Sequence, residues 1–263
     1  MDKNKAAFKL KGLPPIYYLN LDEEPERMMY MEAQLKYWEI ENYTRISAYD
    51  GRDGRDLGHI LKGTYPDGMS SGEVGCTTSH LKALKEFLKT DAPCALMMED
   101  DCDIGTVLHW PFTWKDFFFK IPYDYDVIQL AVINPASVHL QMHKRFVNDF
   151  STACYMITRR HAQKLMELHV RGDKYKLDNG VKPRAVADDL IYNSGNTFTI
   201  PLFLYRIELG SSIHKEHLDV FHKSSYEGLW NFWKADSRNI EDWNALFDYD
   251  PYAGRLPPGF EGK

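Results

Sequence analysis

The sequence contains no apolar run long enough to cross a membrane, so no segment is expected to span a bilayer. The positively charged first eleven residues lack an apolar stretch after them. They are therefore expected to be a frayed tail rather than a secretory signal. The four cysteines form no CxxC pair and have no spacing typical of disulfides, which indicates reduced thiols and a cytoplasmic protein.

An excess of positive charge is also missing. The net charge is −6 and the isoelectric point is near 5.9, which disfavours nucleic acid as a partner without excluding a local basic patch. Apolar residues make up 44% of the 263 residues and aromatic residues 14%, which is ample for a sizeable core. The length fits one large domain, or one domain with a substantial extension.

Apolar segments alternate with helical patterns along most of the chain. Strands are predicted at 16–21, 43–48, 94–98, 127–132, 153–158 and 198–206. Helices are predicted at about 25–38, 71–89, 158–170 and 185–194. This alternation predicts an α/β/α sandwich with a mostly parallel sheet.

Two regions depart from this alternation. Residues 50–72 hold six glycines, and a loop of this length in a compact domain is usually functional or mobile. Residues 215–263 hold three of the six tryptophans. We therefore expect one domain over residues 1–214 and an aromatic-rich extension over 215–263 that packs on it.

The most informative stretch is 94–103, which reads C-A-L-M-M-E-D-D-C-D. A buried strand here would end on Glu99, Asp100 and Asp101, and ligands bind at the carboxyl ends of such strands. Crowded carboxylates repel one another unless a cation or a proton compensates, and hard divalent cations prefer oxygen ligands. On an extended strand Glu99 and Asp101 share a face while Asp100 points away, and Asp101 and Asp103 form a second pair. From the run alone, a solvated acidic turn is an equal alternative.

Several stretches, taken in order, resemble glycosyltransferase family 25, the lipopolysaccharide-type and procollagen-type galactosyltransferase family. The most specific is S-G-E-V-G-C-T-T-S-H at 71–80, ahead of M-M-E-D-D at 97–101. The others are Y-L-N-L-D at 18–22 with Arg27, S-A-Y-D-G at 47–51, Y-D-V-I-Q-L at 125–130, T-A-C-Y-M-I-T-R-R-H-A-Q-K-L at 152–165 and A-D-D-L-I at 187–191. The resemblance covers roughly residues 15–214.

The resemblance implies a GT-A-like fold and transfer of a hexose, galactose or glucose, from a UDP-sugar with inversion at the anomeric carbon. The acceptor would be a hydroxyl of a glycan, a protein or a modified base. Mn²⁺ or Mg²⁺ would neutralise the diphosphate leaving group. Glu99 and Asp101 are the first-choice metal ligands and Asp103 is an alternate. A C-terminal histidine can serve in GT-A enzymes, which makes His214 a candidate, although a solvated histidine is its ordinary alternative.

Inversion requires a base that takes the proton of the acceptor hydroxyl. Asp188 and Asp189 match the late acidic motif of the family, and because adjacent helical residues point about 100° apart, only one is expected in the site. Alignment to the family pattern favours Asp188. The alternative is that both carboxylates only stabilise the start of a helix.

The donor is expected to contact residues from four of the matched stretches. Their alternatives are ordinary structural roles: a core histidine for His80, a surface arginine for Arg27 and a turn aspartate for Asp50. Cys76 is expected to be a small packing residue, because no partnered base is evident. The expected donor-binding residues are Asn20, Asp22, Arg27, Asp50, Glu73, Ser79, His80 and Asp100.

Two functions outside this class remain open from the sequence. One is a protein that binds a nucleotide sugar without turnover, which the retained acidic motifs disfavour. The other is a glycoside hydrolase, which needs two carboxyl groups across the scissile bond but no metal.

Overall fold

A computed structural model of the protein describes residues 3–134, 138–177, 185–209 and 222–249. Within these residues the helices are α1 Lys3–Lys9, α2 Pro25–Tyr37, α3 Ser71–Phe87, α4 Trp114–Lys120, α5 Arg159–His169, α6 Ala187–Tyr192 and α7 Lys223–Lys234. The strands are β1 Ile16–Asn20, β2 Tyr43–Ser47, β3 Cys94–Glu99, β4 Cys102–Asp103, β5 Val127–Gln129, β6 His143–Lys144, β7 Cys154–Thr158, β8 Val170–Arg171, β9 Lys174–Tyr175, β10 Thr197–Thr199 and β11 Leu204–Tyr205.

The central sheet of the described chain has seven strands in the order β2-β1-β3-β7-β5-β10-β6. Strand β1 runs parallel to β2 and β3, and β10 runs parallel to β5. Strand β7 lies antiparallel between β3 and β5, and β6 is an antiparallel edge strand. Five of the seven strands therefore point in one direction, which confirms the predicted α/β fold with a mostly parallel sheet.

The central strand β3 is apolar on both faces because both faces are covered. Leu96 and Met98 pack into one hydrophobic cluster with residues of α2, and Ala95 and Met97 pack into another with residues of α3, α5 and α6. Residues 95–98 have no exposed surface. A continuous apolar run of this kind is typical of a strand buried between two helical layers.

Capping residues in the sequence explain where two of the helices begin. Helix α3 begins with a capping box, in which the side chains of Ser70 and Glu73 each bind the other's backbone amide. Helix α5 begins after Thr158, whose hydroxyl accepts a hydrogen bond from the amide of His161. These caps fix where α3 and α5 leave the edge of the sheet.

The predicted single strand 198–206 is wrong. Strand β10 ends at Thr199, and β11 pairs antiparallel with β4 in a separate two-stranded sheet. Pro201 between them has no amide hydrogen to give to a ladder. The amides of Leu202 and Phe203 instead both donate to the carbonyl oxygen of Leu130, so the chain turns away from the main sheet.

The expected frayed N-terminal tail is also wrong. Residues 3–9 form helix α1, and Ala6, Ala7 and Leu10 are buried. The ammonium of Lys9 donates to the carbonyl oxygen of Trp110 at 2.5 Å. Small apolar residues at helical spacing explain why α1 packs on the core. The high charge of this segment hid that pattern in the sequence. Among the described residues, no helix combines the length and the apolar character needed to cross a bilayer.

Aromatic side chains of residues 222–249 lie against the main core. The indole of Trp233 donates to the carbonyl oxygen of Pro201 at 3.0 Å and lies 6.4 Å from the ring of Trp110. The ring of Phe247 contacts that of Phe112 edge-on at 4.9 Å. The expected boundary at 214/215 lies outside the described residues, so the division into two units stays a prediction.

Candidate functional site

A pocket opens at the carboxyl ends of β1 and β3. These parallel strands pair with Leu19 beside Glu99, so their ends place polar residues at one edge of the sheet. The loop that follows β2 and the first turns of α3 close the other sides. The lining residues are Leu19, Asn20, Leu21, Arg27, Ala48, Tyr49, Asp50, Gly51, Arg52, Gly72, Cys76, Ser79, His80, Glu99, Asp100 and Asp101.

The acidic run does not continue as a strand. Strand β3 ends at Glu99, and Asp100 and Asp101 form a turn, so the alternation of faces expected for an extended chain does not apply to them. Asp100 is buried and accepts hydrogen bonds from Nδ2 of Asn20 and Nε of Arg27, each at 2.7 Å. Three residues expected to contact the donor thus bind one another.

The negative charge of Asp101 is less well compensated by nearby groups than that of Asp100. Oδ1 of Asp101 is buried and has no hydrogen-bond partner in the described part of the chain, while its Oδ2 lies 3.5 Å from Nη2 of Arg27. Burial and the negative charge of Glu99 raise the pKa of Asp101 to about 7 against the opposing effect of Arg27. A buried carboxylate oxygen without a donor suits a hard cation, so the residues present fit Mn²⁺ or Mg²⁺.

Glu99 is held through one carboxylate oxygen. The hydroxyl of Thr152 donates to its Oε1 at 2.6 Å, and Nε2 of His80 lies 3.4 Å from the same atom. Nδ1 of His80 lies 3.1 Å from the hydroxyl of Tyr155, a fully buried ring. Burial opposes the charge of Glu99, but hydrogen bonds from His80 and Thr152 hold its pKa below the usual value.

Cys76, His80 and Glu99 form a second group with ligand atoms of the right types for a metal. These atoms lie within 4.8 Å of one another. Cys76 and His80 are four residues apart on α3, a spacing that puts both on one face and could have been found in the sequence. Burial and the charge of Glu99 raise the pKa of the Cys76 thiol well above its usual value, so the thiol is neutral without a metal.

The two late aspartates occupy different environments. Asp188 accepts a hydrogen bond from the amide of Ser151 at 2.7 Å. Burial raises the pKa of Asp188, the charge of Arg145 opposes this, and the charge of Glu99 adds to it. Asp189 is buried and accepts a hydrogen bond from Nδ2 of Asn193 at 3.1 Å, one turn further along α6. Neither residue lines the pocket, and the charge of Glu99 acts on Asp188.

Three other expected site residues do not line the pocket, and a fourth lies outside the residues that the structure describes. Glu73 binds the amide of Ser70 as part of the helix cap, at 2.8 Å. Asp22 accepts from Arg45 and Ser47 at the surface. Asp103 accepts from the amide of Gly105 at 2.7 Å on the two-stranded sheet. His214 lies outside the described residues.

The glycines near the pocket serve backbone packing. A Cβ on Gly51 would lie 1.9 Å from the carbonyl oxygen of Ser71, and one on Gly75 would lie 2.6 Å from that of Tyr49. The loop after β2 therefore presses directly on the first turns of α3. The absence of a side chain at Gly75 lets this loop approach the helix.

Ser79 and Asp50 fix the same loop. The hydroxyl of Ser79 accepts from the amide of Tyr49 at 2.7 Å. Asp50 accepts from Nη2 of Arg52 at 2.8 Å and from Nη1 of Arg55 at 2.5 Å. Arg52 lines the pocket and is a candidate missed by the sequence reading, since an arginine in a glycine-rich loop carries no distinctive pattern. Thr152 was also missed, although it lies in a matched stretch.

Residues 13–178 match the model of glycosyltransferase family 25, described as an LPS biosynthesis protein. The chain belongs to glycosyltransferase family 25. It is a glycosyltransferase, and the predicted family is confirmed. The matched region contains the pocket residues and Thr152, and it ends before α6, so Asp188 and Asp189 lie beyond it.

Similar solved structures are distant from this family 25 chain. A197 from STIV has a TM-score of 0.38 and 10% identity, covering 73% of this chain and 83% of that one. The nucleoside-diphosphate-sugar pyrophosphorylase from Vibrio cholerae RC9 has a TM-score of 0.35 and 9% identity, covering 75% and 76%. A glycosyltransferase involved in the glycosylation of the major capsid of PBCV-1 has a TM-score of 0.30 and 12% identity, covering 78% and 100%. No curated protein matches the chain.

Proposed function

We propose that this family 25 enzyme is a metal-dependent, inverting glycosyltransferase that moves a hexose, galactose or glucose, from a UDP-sugar to an acceptor hydroxyl. The acceptor would be a hydroxyl of a glycan, a protein or a modified base. The observation that carries the proposal is the buried Oδ1 of Asp101, to which none of the described residues donates a hydrogen bond and which lies in a pocket with a second carboxylate, Glu99.

Glu99 and Asp101 would hold Mn²⁺ or Mg²⁺. The bound ion would neutralise charge on the leaving diphosphate. Asp103 is the weaker candidate, because its Oδ1 accepts from Gly105 and it does not line the pocket. Asp100 would act indirectly, since its charge is compensated by Arg27 and therefore adds little repulsion to the pair beside it.

The donor would lie between the loop after β2 and the end of β3. Arg52 presents a pocket-lining guanidinium, and a guanidinium suits bidentate contact with a diphosphate. Asn20 and Ser79 line the same space. Both arginines are ion-paired, Arg27 with Asp100 and Arg52 with Asp50, Glu23 and Glu24. The side chain of Arg52 is 23% exposed and that of Arg27 is 10% exposed, so we assign the donor contact to Arg52 and a supporting role to Arg27.

Asp188 is the proposed base that takes the proton of the acceptor hydroxyl. Burial raises the pKa of this carboxyl group, which strengthens it as a proton acceptor. Asp189 is turned to Asn193 of its own helix and is assigned to holding α6.

The deciding experiment measures thermal stabilisation by UDP with and without Mn²⁺ on the wild type, Asp101→Asn and Asp103→Asn. At a ligand concentration 100-fold above its dissociation constant, the stabilisation should be about 2.7 kcal/mol. We expect stabilisation that depends on Mn²⁺, is lost in Asp101→Asn and persists in Asp103→Asn. The reverse pattern would refute the ligand assignment.

Two further outcomes separate the alternatives. Binding of UDP-sugars without transfer to any acceptor and without slow hydrolysis of the donor would indicate a binding protein. Metal-independent cleavage of an aryl glycoside would indicate a hydrolase.

A further inference from the structure

Two consecutive residues bind the two carboxylates to which the proposed function assigns chemistry. The hydroxyl of Thr152 donates to Oε1 of Glu99 at 2.6 Å. The amide of Ser151 donates to Oδ2 of Asp188 at 2.7 Å. Both residues lie in the short segment that leads into β7, the strand that pairs antiparallel with β3. One dipeptide therefore connects the end of β3 to the start of α6.

The backbone of Ser151 adopts a conformation that L-residues rarely take. Its φ is +98°, and such a conformation persists only where the surroundings hold it. Its carbonyl oxygen accepts from Nε2 of Gln129 at 3.0 Å and from the hydroxyl of Tyr192 at 2.9 Å. Its hydroxyl accepts from the amide of Ala153 at 3.0 Å. The segment is thus fixed by partners on β5 and α6 and by the residue that precedes β7.

Each carboxylate is fixed through one oxygen. Both protein contacts of Glu99, from Thr152 and His80, go to Oε1, and within the described residues Oε2 accepts no hydrogen bond. Asp188 likewise accepts at Oδ2, and within the described part of the chain its Oδ1 accepts none. Fixing one oxygen orients the carboxylate and leaves the other for a ligand.

We propose that Ser151 and Thr152 form a positioning element that sets the metal-binding carboxylate of Glu99 and the proton-accepting carboxylate of Asp188 relative to each other. Thr152 acts on the metal through Glu99, and Ser151 acts on the acceptor through Asp188. This inference rests on the proposed function, and the element would hold both carboxylates in place before either substrate binds.

The first test measures Mn²⁺ binding to the donor-free protein through the relaxation rate of water protons. Thr152→Val removes the hydroxyl and keeps the branched shape, so the Mn²⁺ dissociation constant should rise about 10- to 100-fold, as is usual when a partner of a metal ligand is lost. Thr152→Ser restores the hydroxyl and should bring affinity back close to the wild type.

The matched control is Thr106→Val. The Thr106 hydroxyl is also buried and donates to the carbonyl oxygen of Leu202 at 2.5 Å, but Thr106 does not line the pocket. This variant should bind Mn²⁺ like the wild type. Equal losses in Thr106→Val and Thr152→Val would overturn the positioning role, and so would an unchanged Thr152→Val. A wild type that binds no Mn²⁺ would instead refute the proposed function itself.

The second test addresses Ser151 by Ser151→Gly. Glycine accepts a φ of +98° and keeps the amide donor, but it loses the hydroxyl contact with Ala153 and loosens the segment. We expect kcat to fall while KM for the donor stays unchanged, and the Mn²⁺ dissociation constant should rise less than in Thr152→Val because the Thr152 hydroxyl is retained. An unchanged kcat, or a rise in KM alone, would overturn the assignment for Asp188.

Discussion

Replacing Asp101 by asparagine should make the metal-free protein more stable while removing metal binding. The side chain of Asp101 is 17% exposed, but its Oδ1 is buried and has no hydrogen-bond partner among the described residues. A rise in pKa from 3.8 to about 7 corresponds to roughly 4 kcal/mol of unfavourable free energy for the charged form in the folded state. Asparagine removes the charge but must hydrogen-bond its amide, so we expect a gain of about 1–3 kcal/mol.

The gain should depend on pH in a defined direction. A carboxyl group whose pKa is raised on folding destabilises the protein fully above the folded pKa, and the effect fades as pH falls towards the unfolded pKa. The advantage of Asp101→Asn should therefore be largest near pH 8 and should shrink towards pH 5. Urea unfolding in the presence of EDTA at both pH values measures it.

The control is the same substitution at the neighbouring residue. Asp100 accepts from Asn20 and forms an ion pair with Arg27 at 2.6 Å. Asp100→Asn removes the closest ion pair of the buried Arg27 guanidinium, which keeps its 3.5 Å contact with Asp101, and should destabilise the protein by up to about 3 kcal/mol. Our account of the charges is refuted if Asp101→Asn is no more stable than the wild type in EDTA at pH 8, or if the two variants behave alike.

Three other predictions follow from single contacts. Asp149 is fully buried and accepts hydrogen bonds from Asn134, His143 and the amide of Phe146. Asp149→Asn should therefore lower the free energy of unfolding, measured in urea, by about 3 kcal/mol, and a loss below 1 kcal/mol would contradict this. Gly51→Ala should abolish stabilisation by UDP and Mn²⁺, because the added Cβ would collide with the backbone of Ser71, and normal binding by this variant would contradict the prediction. Its control is Gly228→Ala on α7, where the Cβ has open space and the change should stabilise the fold by up to about 1 kcal/mol. Asp188→Asn should lose sugar transfer and keep stabilisation by UDP and Mn²⁺, while Asp189→Asn should keep transfer; the opposite pattern in transfer assays would move the base to Asp189.

The sequence predicted the parts of the fold that local pattern determines. Strand β3 is a run of apolar residues that ends on acids, and Thr158 caps the helix after β7, so both were visible without the structure. The direction of β7 was not, because an antiparallel strand inserted between β3 and β5 has the same apolar composition as a parallel one. The division of 198–206 depends on Leu130, a residue about 70 positions earlier in the chain.

The sequence pointed to several of the residues that line the pocket but not to how they pair. The sequence placed Glu99, Asp100 and Asp101 together, yet it assigned their directions from an extended strand where the chain makes a turn. Arg27 was predicted to bind the donor because its actual partner, Asp100, lies 73 residues away in the sequence and no local pattern indicates the pair. Contacts over such separations are set by the sheet order, which no local pattern encodes.

The three adjacent acids end up in three environments, and this division explains how the pocket can favour a cation. Asp100 is paired with Arg27, although burial still raises its pKa, and Glu99 is held by Thr152 and His80. Within the described residues, Oδ1 of Asp101 has no donor. If all three were paired, a metal would have to displace protein contacts, and if none were, repulsion would open the turn. Leaving this carboxylate uncompensated costs stability in the metal-free protein, and a bound ion would restore it. A gain in stability in Asp101→Asn together with a loss of metal affinity would therefore trace both effects to the charge of Asp101.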